Sequence, residues 1–335
     1  MTYRIGLMGC GTVADYGHLP TILATAGFEL TALYDPDEDR LDAAQTKFGA
    51  PYAFTDPEGF FGCGLDVVTV TSPPPCHLEN VCAAARHAVP VLCEKPLAMT
   101  DADAALMIER MQEAGVPLFV GFDYRFSPVS RRIRELLAAG AIGTVRELRL
   151  VYLWGLHGRY DKAHPSGLNQ RREARMAEGG PLVDCGVHQI DLARWWLGAE
   201  VVRQRAVGVW VEGYRAPDHV YLHLDHAGGV HTLVEMSYSY GATLAQPRPR
   251  FEYEIIGTDG LIRYDRGART FELHTAAGAT DLGFAPEKNF AGMYKALLAA
   301  LESGDDSLLP TGEDGLIATR IARGATDALI AEHET

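Results

Sequence analysis

No two of the six cysteines lie in a C-x-x-C arrangement. Cys10, Cys63, Cys76, Cys82, Cys93 and Cys185 are scattered along 335 residues, a pattern that predicts reduced thiols in a cytoplasmic protein. It predicts neither a disulfide framework nor a metal site. Long hydrophobic runs are missing as well: none approaches the roughly 18 residues that span a bilayer. The residues ahead of Tyr3 carry no basic, apolar leader, so no membrane partner and no export signal is expected. Positive charge is scarce. Thirty Lys and Arg against 44 Asp and Glu leave a formal charge of −14, which argues against a nucleic-acid partner, because that affinity rests on cations neutralising phosphates. The absence of internal repeats excludes a solenoid.

What remains is an ordinary globular composition, 47% hydrophobic and 22% charged, long enough for two domains with separate cores. The chain has two styles. Up to residue 121, short apolar runs at 3–8, 28–34, 66–71, 90–94 and 117–121 alternate with helical stretches near 13–26, 37–48, 76–88 and 101–114. Thr100 as N-cap and Gly115 as a stop punctuate the last helix. Alternation of this kind predicts a doubly wound parallel sheet. Beyond residue 121 the pattern changes to a helix at 128–139, a strand at 145–154, a polar segment at 155–178 and a helix at 181–197. Strands then follow one another at 201–212, 218–226, 230–239, 251–257, 261–265 and 269–275, before closing helices at 288–302 and 313–332. Consecutive strands imply a large, mostly antiparallel open sheet in an α+β domain. The expected division is 1–121 and 122–335.

The first strand runs into Gly9, Gly11 and Ala14, a G-x-G-x-x-A turn. Gly9 permits the tight turn, Gly11 lets the backbone approach a pyrophosphate, and Ala14 allows close packing of helix on strand. Phosphate would then sit on the N–H groups that open the helix, around Thr12 and Val13. The second strand ends in Asp35, 24 residues beyond Gly11, where a carboxylate binds ribose hydroxyls and repels a 2′-phosphate. Asp35 with Asp37 also reads as a cap for the next helix. Together these features predict NAD, with NADP less favoured. At 69–77, TVTSPPPCH ends a strand on three prolines and shapes a rigid loop, placing Thr71, Ser72, Pro73 and His77 at the cofactor cleft. A histidine at such a helix start is also an ordinary structural partner. Glu94 and Lys95, in VLCEKPL, stand at the end of a later strand and join the expected cofactor set.

GCGTVA, TSPPPCH, CEKPL, GGPLVDCGVHQID and EIIGTDGLI together resemble the Gfo/Idh/MocA oxidoreductase family over almost the whole chain. The resemblance implies a Rossmann domain and an α/β domain whose open sheet forms oligomer contacts, in a homodimer or homotetramer. It also implies that Lys95, Asp184 and His188 match the family's catalytic lysine, aspartate and histidine.

Read on its own, the helix 181–197 places Asp184, His188, Asp191 and Trp195 on one stripe, at spacings of four, three and four. Ionisable groups on an otherwise apolar helix line a cavity or satisfy one another. A dehydrogenase needs a base for the hydroxyl proton, and histidine suits that work. A surface pair with a solvated Lys95 is the bland reading of the same residues. Substrate contacts are expected from Tyr124, where relatives carry Asn before Arg-Phe, and from Arg125. Trp154, Arg159, Tyr160 and Arg172 of the polar segment are further candidates; its arginines could equally pair with Glu173 and Glu178. The function expected is hydride transfer between NAD(H) and a secondary alcohol or ketone of a small carbohydrate or cyclic polyol, with Asp184 available to relay the proton of His188. A glycosidase that oxidises its sugar transiently, and a dinucleotide-sensing regulator without catalysis, are the alternatives.

Overall fold

The structure is a computed structural model describing residues 2–155 and 166–335, apart from 242, 243, 245 and 247, with the backbone alone for 166–170. It forms two compact units, one of Met1–Phe126 with Lys288–Thr319 and one of Ser127–Glu287 with Arg320–Thr335.

In the first unit, six strands lie in one parallel sheet: β1 (Tyr3–Met8), β2 (Phe28–Tyr34), β3 (Tyr52–Phe54), β4 (Val67–Val70), β5 (Val91–Cys93) and β6 (Leu118–Val120). Their spatial order is β3-β2-β1-β4-β5-β6, so the winding reverses between β1 and β4. In such sheets ligands bind outside the carboxyl ends of the strands at that reversal. Ile5, Leu7 and Met8 are all fully buried, as strands covered on both faces require. Helices α1 (Leu19–Ala24), α2 (Glu38–Phe48), α3 (Pro57–Phe61), α4 (His77–Arg86) and α5 (Asp101–Glu113) connect them. Thr100 caps α5 through the Asp103 N–H at 3.0 Å, as expected.

Helix α9 (Phe290–Ser303) also belongs to this unit, contrary to the boundary expected at residue 121. The physical reason is its apolar stripe. Met293, Tyr294 and Leu297 are fully buried in the same core as Ile5, Leu19, Leu33 and Leu92, and burying one such side chain contributes about 1.5–3 kcal/mol.

The second unit is built on eight strands: β7 (Val145–Leu153), β8 (Val201–Val209), β9 (His219–His226), β10 (His231–Ser237), β11 (Arg250–Gly257), β12 (Gly260–Asp265), β13 (Thr270–Thr275) and β14 (Gly278–Asp281). The order is β14-β13-β12-β11-β7-β10-β9-β8, antiparallel throughout except where β10 runs parallel to β7. Burial alternates strictly along β9, so one face carries the core and the other is open. Helices α6 (Pro128–Ala138) and α8 (Val187–Leu197) pack here, with Trp196 edge-on to Tyr253 at 5.2 Å. Helix α7 (Ser166–Ala177) stands where the sequence suggested only a polar segment, and α10 (Gly312–His333) ends the chain.

Two helix starts depart from regular geometry. Residues Ala14–His18 and Leu182–Gly186 each form a π turn, immediately before α1 and α8. A π turn holds an extra residue, and such turns are frequent at functional sites.

Candidate active site

The glycine turn has the geometry a dinucleotide requires. Gly9 sits at φ +99°, and a Cβ there would collide with the Ser72 backbone. Around the Cβ position of Gly11 there is open space to 4 Å among the described residues, so a pyrophosphate fits against that backbone. Asp35 is buried, its two carboxylate oxygens accepting the N–H groups of Cys10 at 2.8 Å and Asp37 at 3.0 Å. Each oxygen keeps a further lone pair for a ribose hydroxyl. Asp35 therefore ties the glycine turn to the end of β2, while Asp37 caps α2 by accepting the Arg40 N–H. Thr71 braces the same turn, its hydroxyl donating to the Gly9 carbonyl at 2.6 Å. Thr12 and Val13 follow Gly11 at the entry to the π turn.

His77 is placed differently from expectation. It is fully buried, with ring nitrogens facing the carbonyls of Ser72 at 2.9 Å and of Pro96 and Leu97 at 3.1 Å. Burial pushes its pKa below the ordinary histidine range, outweighing those backbone bonds. It is a brace between the proline-rich loop and the turn after Lys95, rather than a cofactor ligand. Ser72 accepts the Asn80 amide at 2.8 Å, and Pro73 leads into the turn at Pro74–Cys76.

Glu94 and Lys95 stand at the end of β5. Lys95 is half-buried. Its backbone N–H donates to Glu94 Oε2 at 3.2 Å, while Glu94 Oε1 lies 2.9 Å from His18 Nε2. Burial pushes the Glu94 carboxyl up, but the bond to His18 and the charges of His18 and Lys95 bring it below the usual carboxylate range. His18 and its neighbour Tyr294 carried no signal in the sequence: a lone histidine in a helix and a tyrosine on a distant one read as core.

In the second unit, Asp184 lies in the π turn and His188 one step into α8; both are 5% exposed. Tyr238 donates a short hydrogen bond to Asp184 Oδ2, Cys185 Sγ lies 3.7 Å from the same oxygen, and Arg175 Nε approaches it at 3.7 Å. Burial raises the Tyr238 phenol far above its ordinary value, and the Asp184 charge raises it further, so it remains a donor. Burial opposes the charge of Arg175, yet Asp184 and Glu178 together raise its pKa. Asp191 is 1% exposed. The π turn falls between Asp184 and the regular helix that carries His188, Asp191 and Trp195, and the Trp195 ring lies under the Arg134 guanidinium at 4.5 Å.

The substrate candidates divide. Tyr124 and Arg125 are buried in a short 3-10 turn of the first unit, where Arg125 pairs with Asp314 at 3.1 Å. Trp154 stacks on Tyr152 at 5.5 Å and meets Tyr238 edge-on at 5.9 Å. Arg172 is a correction. At 1% exposure it pairs with Glu212 at 3.0 Å and donates to the Tyr238 carbonyl at 2.6 Å, so it is an internal strut rather than an open substrate contact. Arg159 and Tyr160 lie outside the described residues. No cluster of three or more His, Cys, Asp or Glu suited to a metal ion occurs among the described residues, and none of their helices is long and apolar enough to cross a membrane.

Two family models match: "Oxidoreductase family, NAD-binding Rossmann fold" over residues 3–122 and "GFO/IDH/MocA C-terminal domain" over residues 130–263. Among curated proteins, the chain is 33% identical to inositol 2-dehydrogenase 2 of Saccharopolyspora erythraea, covering 72% of this chain and 68% of that one. It is 31% identical to 1,5-anhydro-D-fructose reductase of Ensifer adhaerens over 99% of both. Among solved structures, a probable dehydrogenase from Thermotoga maritima superposes with a TM-score of 0.80 at 27% identity, covering 99% and 97% of the two chains.

Proposed function

The chain belongs to the Gfo/Idh/MocA oxidoreductase family, and from that premise we propose that it is an NAD(H)-dependent dehydrogenase or reductase. Its substrate would be a secondary alcohol or ketone of a sugar or cyclic polyol. The bound nicotinamide supplies hydride acceptance and donation. Gly9, Gly11, Thr12 and Val13 would hold its pyrophosphate and Asp35 its ribose. A carboxylate at Asp35 disfavours the 2′-phosphate of NADP. The Lys95 ammonium holds and polarises the reacting oxygen, and His188 takes the hydroxyl proton in oxidation and returns it in reduction. Asp184 orients the imidazole.

The observation that carries this reading is the buried Asp184 carboxylate, held by Tyr238 and Arg175 at the turn that leads into His188. Relatives named for an inositol and for an anhydrosugar support the substrate class. The open face of the eight-stranded sheet, with Arg149, Glu235, Glu252 and Arg263 around one shallow depression, is the proposed contact of a homodimer or homotetramer. A cytoplasmic setting is proposed from six cysteines that no disulfide joins.

The test is a cofactor-reduction screen over inositols, aldoses, ketoses and anhydrosugars, with NAD and NADP in parallel. On the best substrate, Lys95→Met and His188→Ala are expected to lower kcat about 10³-fold. Near-normal turnover in both variants rejects the assignment. Cleavage of a glycoside without net NADH release replaces it with the glycosidase.

A further inference from the structure

His18, Thr69, Glu94 and Tyr294 come from the first π turn, β4, the end of β5 and α9, and they meet in one buried chain. Glu94 accepts the N–H of Lys95 with one oxygen and lies 2.9 Å from His18 Nε2 with the other. His18 Nδ1 is 2.8 Å from the Tyr294 hydroxyl, which is 3.1 Å from Thr69 Oγ1. The ring of Phe290, 5.0 Å from His18, and that of Phe28, 6.0 Å from Tyr294, close the apolar sides. His77, Cys93 and Lys95 are the other titratable groups whose charge bears on Glu94 or is affected by it.

Two features set this chain apart from core filler. A buried ion pair adds little net stability over a well-packed apolar replacement, so stability alone does not account for it. The chain also leaves none of its side chains without a partner: the His18 ring lies between the Glu94 carboxylate and the Tyr294 hydroxyl, and that hydroxyl reaches Thr69. The peptide that carries Lys95 is thereby tied to three other elements.

We propose that His18, Glu94 and Tyr294 are positioning residues that act through Lys95, fixing the turn that presents its ammonium. The proposal rests on the catalytic reading of Lys95. It adds a second layer to that residue, in which the π turn carries the imidazole that meets Glu94.

The test uses the full chain with NADH, whose fluorescence reports binding directly, and with the panel compound giving the highest turnover. Glu94→Gln and His18→Leu are expected to lower kcat about 10- to 100-fold while the NADH Kd changes less than about threefold. His18→Gln, which keeps a donor for Glu94, recovers most of kcat. Tyr294→Phe lowers kcat about fivefold and leaves KM unchanged. If Glu94→Gln, His18→Gln and Tyr294→Phe all keep kcat within about twofold of the parent while Lys95→Met is inactive, the positioning role is overturned and the reading of Lys95 stands. If Lys95→Met turns over normally, both fall. Should His18→Leu fail to fold, the other three variants decide.

Discussion

The π turns at Ala14–His18 and Leu182–Gly186 stand at equivalent places, each delivering a buried ionisable side chain just ahead of a helix, but the partners they deliver it to are of opposite kinds. His18 meets the Glu94 carboxylate, which only accepts, and the Tyr294 hydroxyl, which both donates and accepts. Asp184 meets the Tyr238 phenol, the Cys185 thiol and the Arg175 guanidinium; burial drives the Tyr238 phenol's pKa up, as it does that of Tyr294 in the first cluster. In the first cluster the side chain that the turn delivers faces an acceptor. In the second it is itself the acceptor, facing the donors of Tyr238 and Arg175. That arrangement supports the proposed role of Asp184 in orienting and stabilising a charged imidazole.

The sharpest way to break this comparison is through Arg172, which buttresses the second cluster by bonding the Tyr238 carbonyl and Glu212. Arg172→Met removes the guanidinium from the buried Glu212 side chain and is expected to cost about 3–5 kcal/mol in urea unfolding. Tyr294→Phe, in the first cluster, removes one neutral hydrogen-bonding group and is expected to cost about 1 kcal/mol. Equal costs would mean that the two clusters do not differ as described.

A smaller effect separates orientation from relay. Tyr238→Phe removes a donor and leaves the Asp184 charge; Asp184→Asn removes the charge. If Asp184 only orients, Asp184→Asn lowers kcat about 100-fold and Tyr238→Phe about tenfold, roughly 2.7 and 1.4 kcal/mol in transition-state terms. The double variant would then fall short of the sum, because the residues share one bond. Additive losses in kcat would show that Tyr238 works independently of Asp184.

The sequence made one unit far more legible than the other, for local reasons. The glycine turn, Asp35, the proline-rich loop and the end of β5 are each short stretches whose residue types dictate their own geometry, and each follows its strand in the parallel sheet. The π turns were not legible because spacing was counted at 3.6 residues per turn, and nothing in ADYGH or LVDCG announces an insertion. Tyr294 and Tyr238 were missed because each lies far along the chain from the residue it serves, 276 residues from His18 and 54 from Asp184. Arg172 was misplaced because polar residues are taken as solvated until a buried partner such as Glu212 is seen.

The smallest effect tests whether the contrast is confined to the clusters. Each unit also holds a buried histidine outside them: His77 in the first, and in the second His226, with Nε2 at 2.9 Å from Thr232 Oγ1 and Nδ1 at 3.2 Å from the Ala199 carbonyl. Burial lowers both pKa values below the ordinary value and outweighs the backbone bonds that raise them. A depressed folded pKa means that below about pH 6.5, the unfolded histidine value, the unfolded chain binds more protons than the folded one. The stability contributed is fully present above that pH and is lost as pH falls through the folded pKa. Replacing either residue with Gln, which keeps a donor and an acceptor but cannot titrate, should flatten the fall in unfolding free energy below pH 6.5. Hydrogen exchange assigns the change to one unit: His77→Gln should alter the pH dependence of protection in β4 and β5, and His226→Gln that in β9 and β10. If both variants keep the parent's slope, burial does not hold these imidazoles neutral, and the two units differ in more than the partners of their π turns.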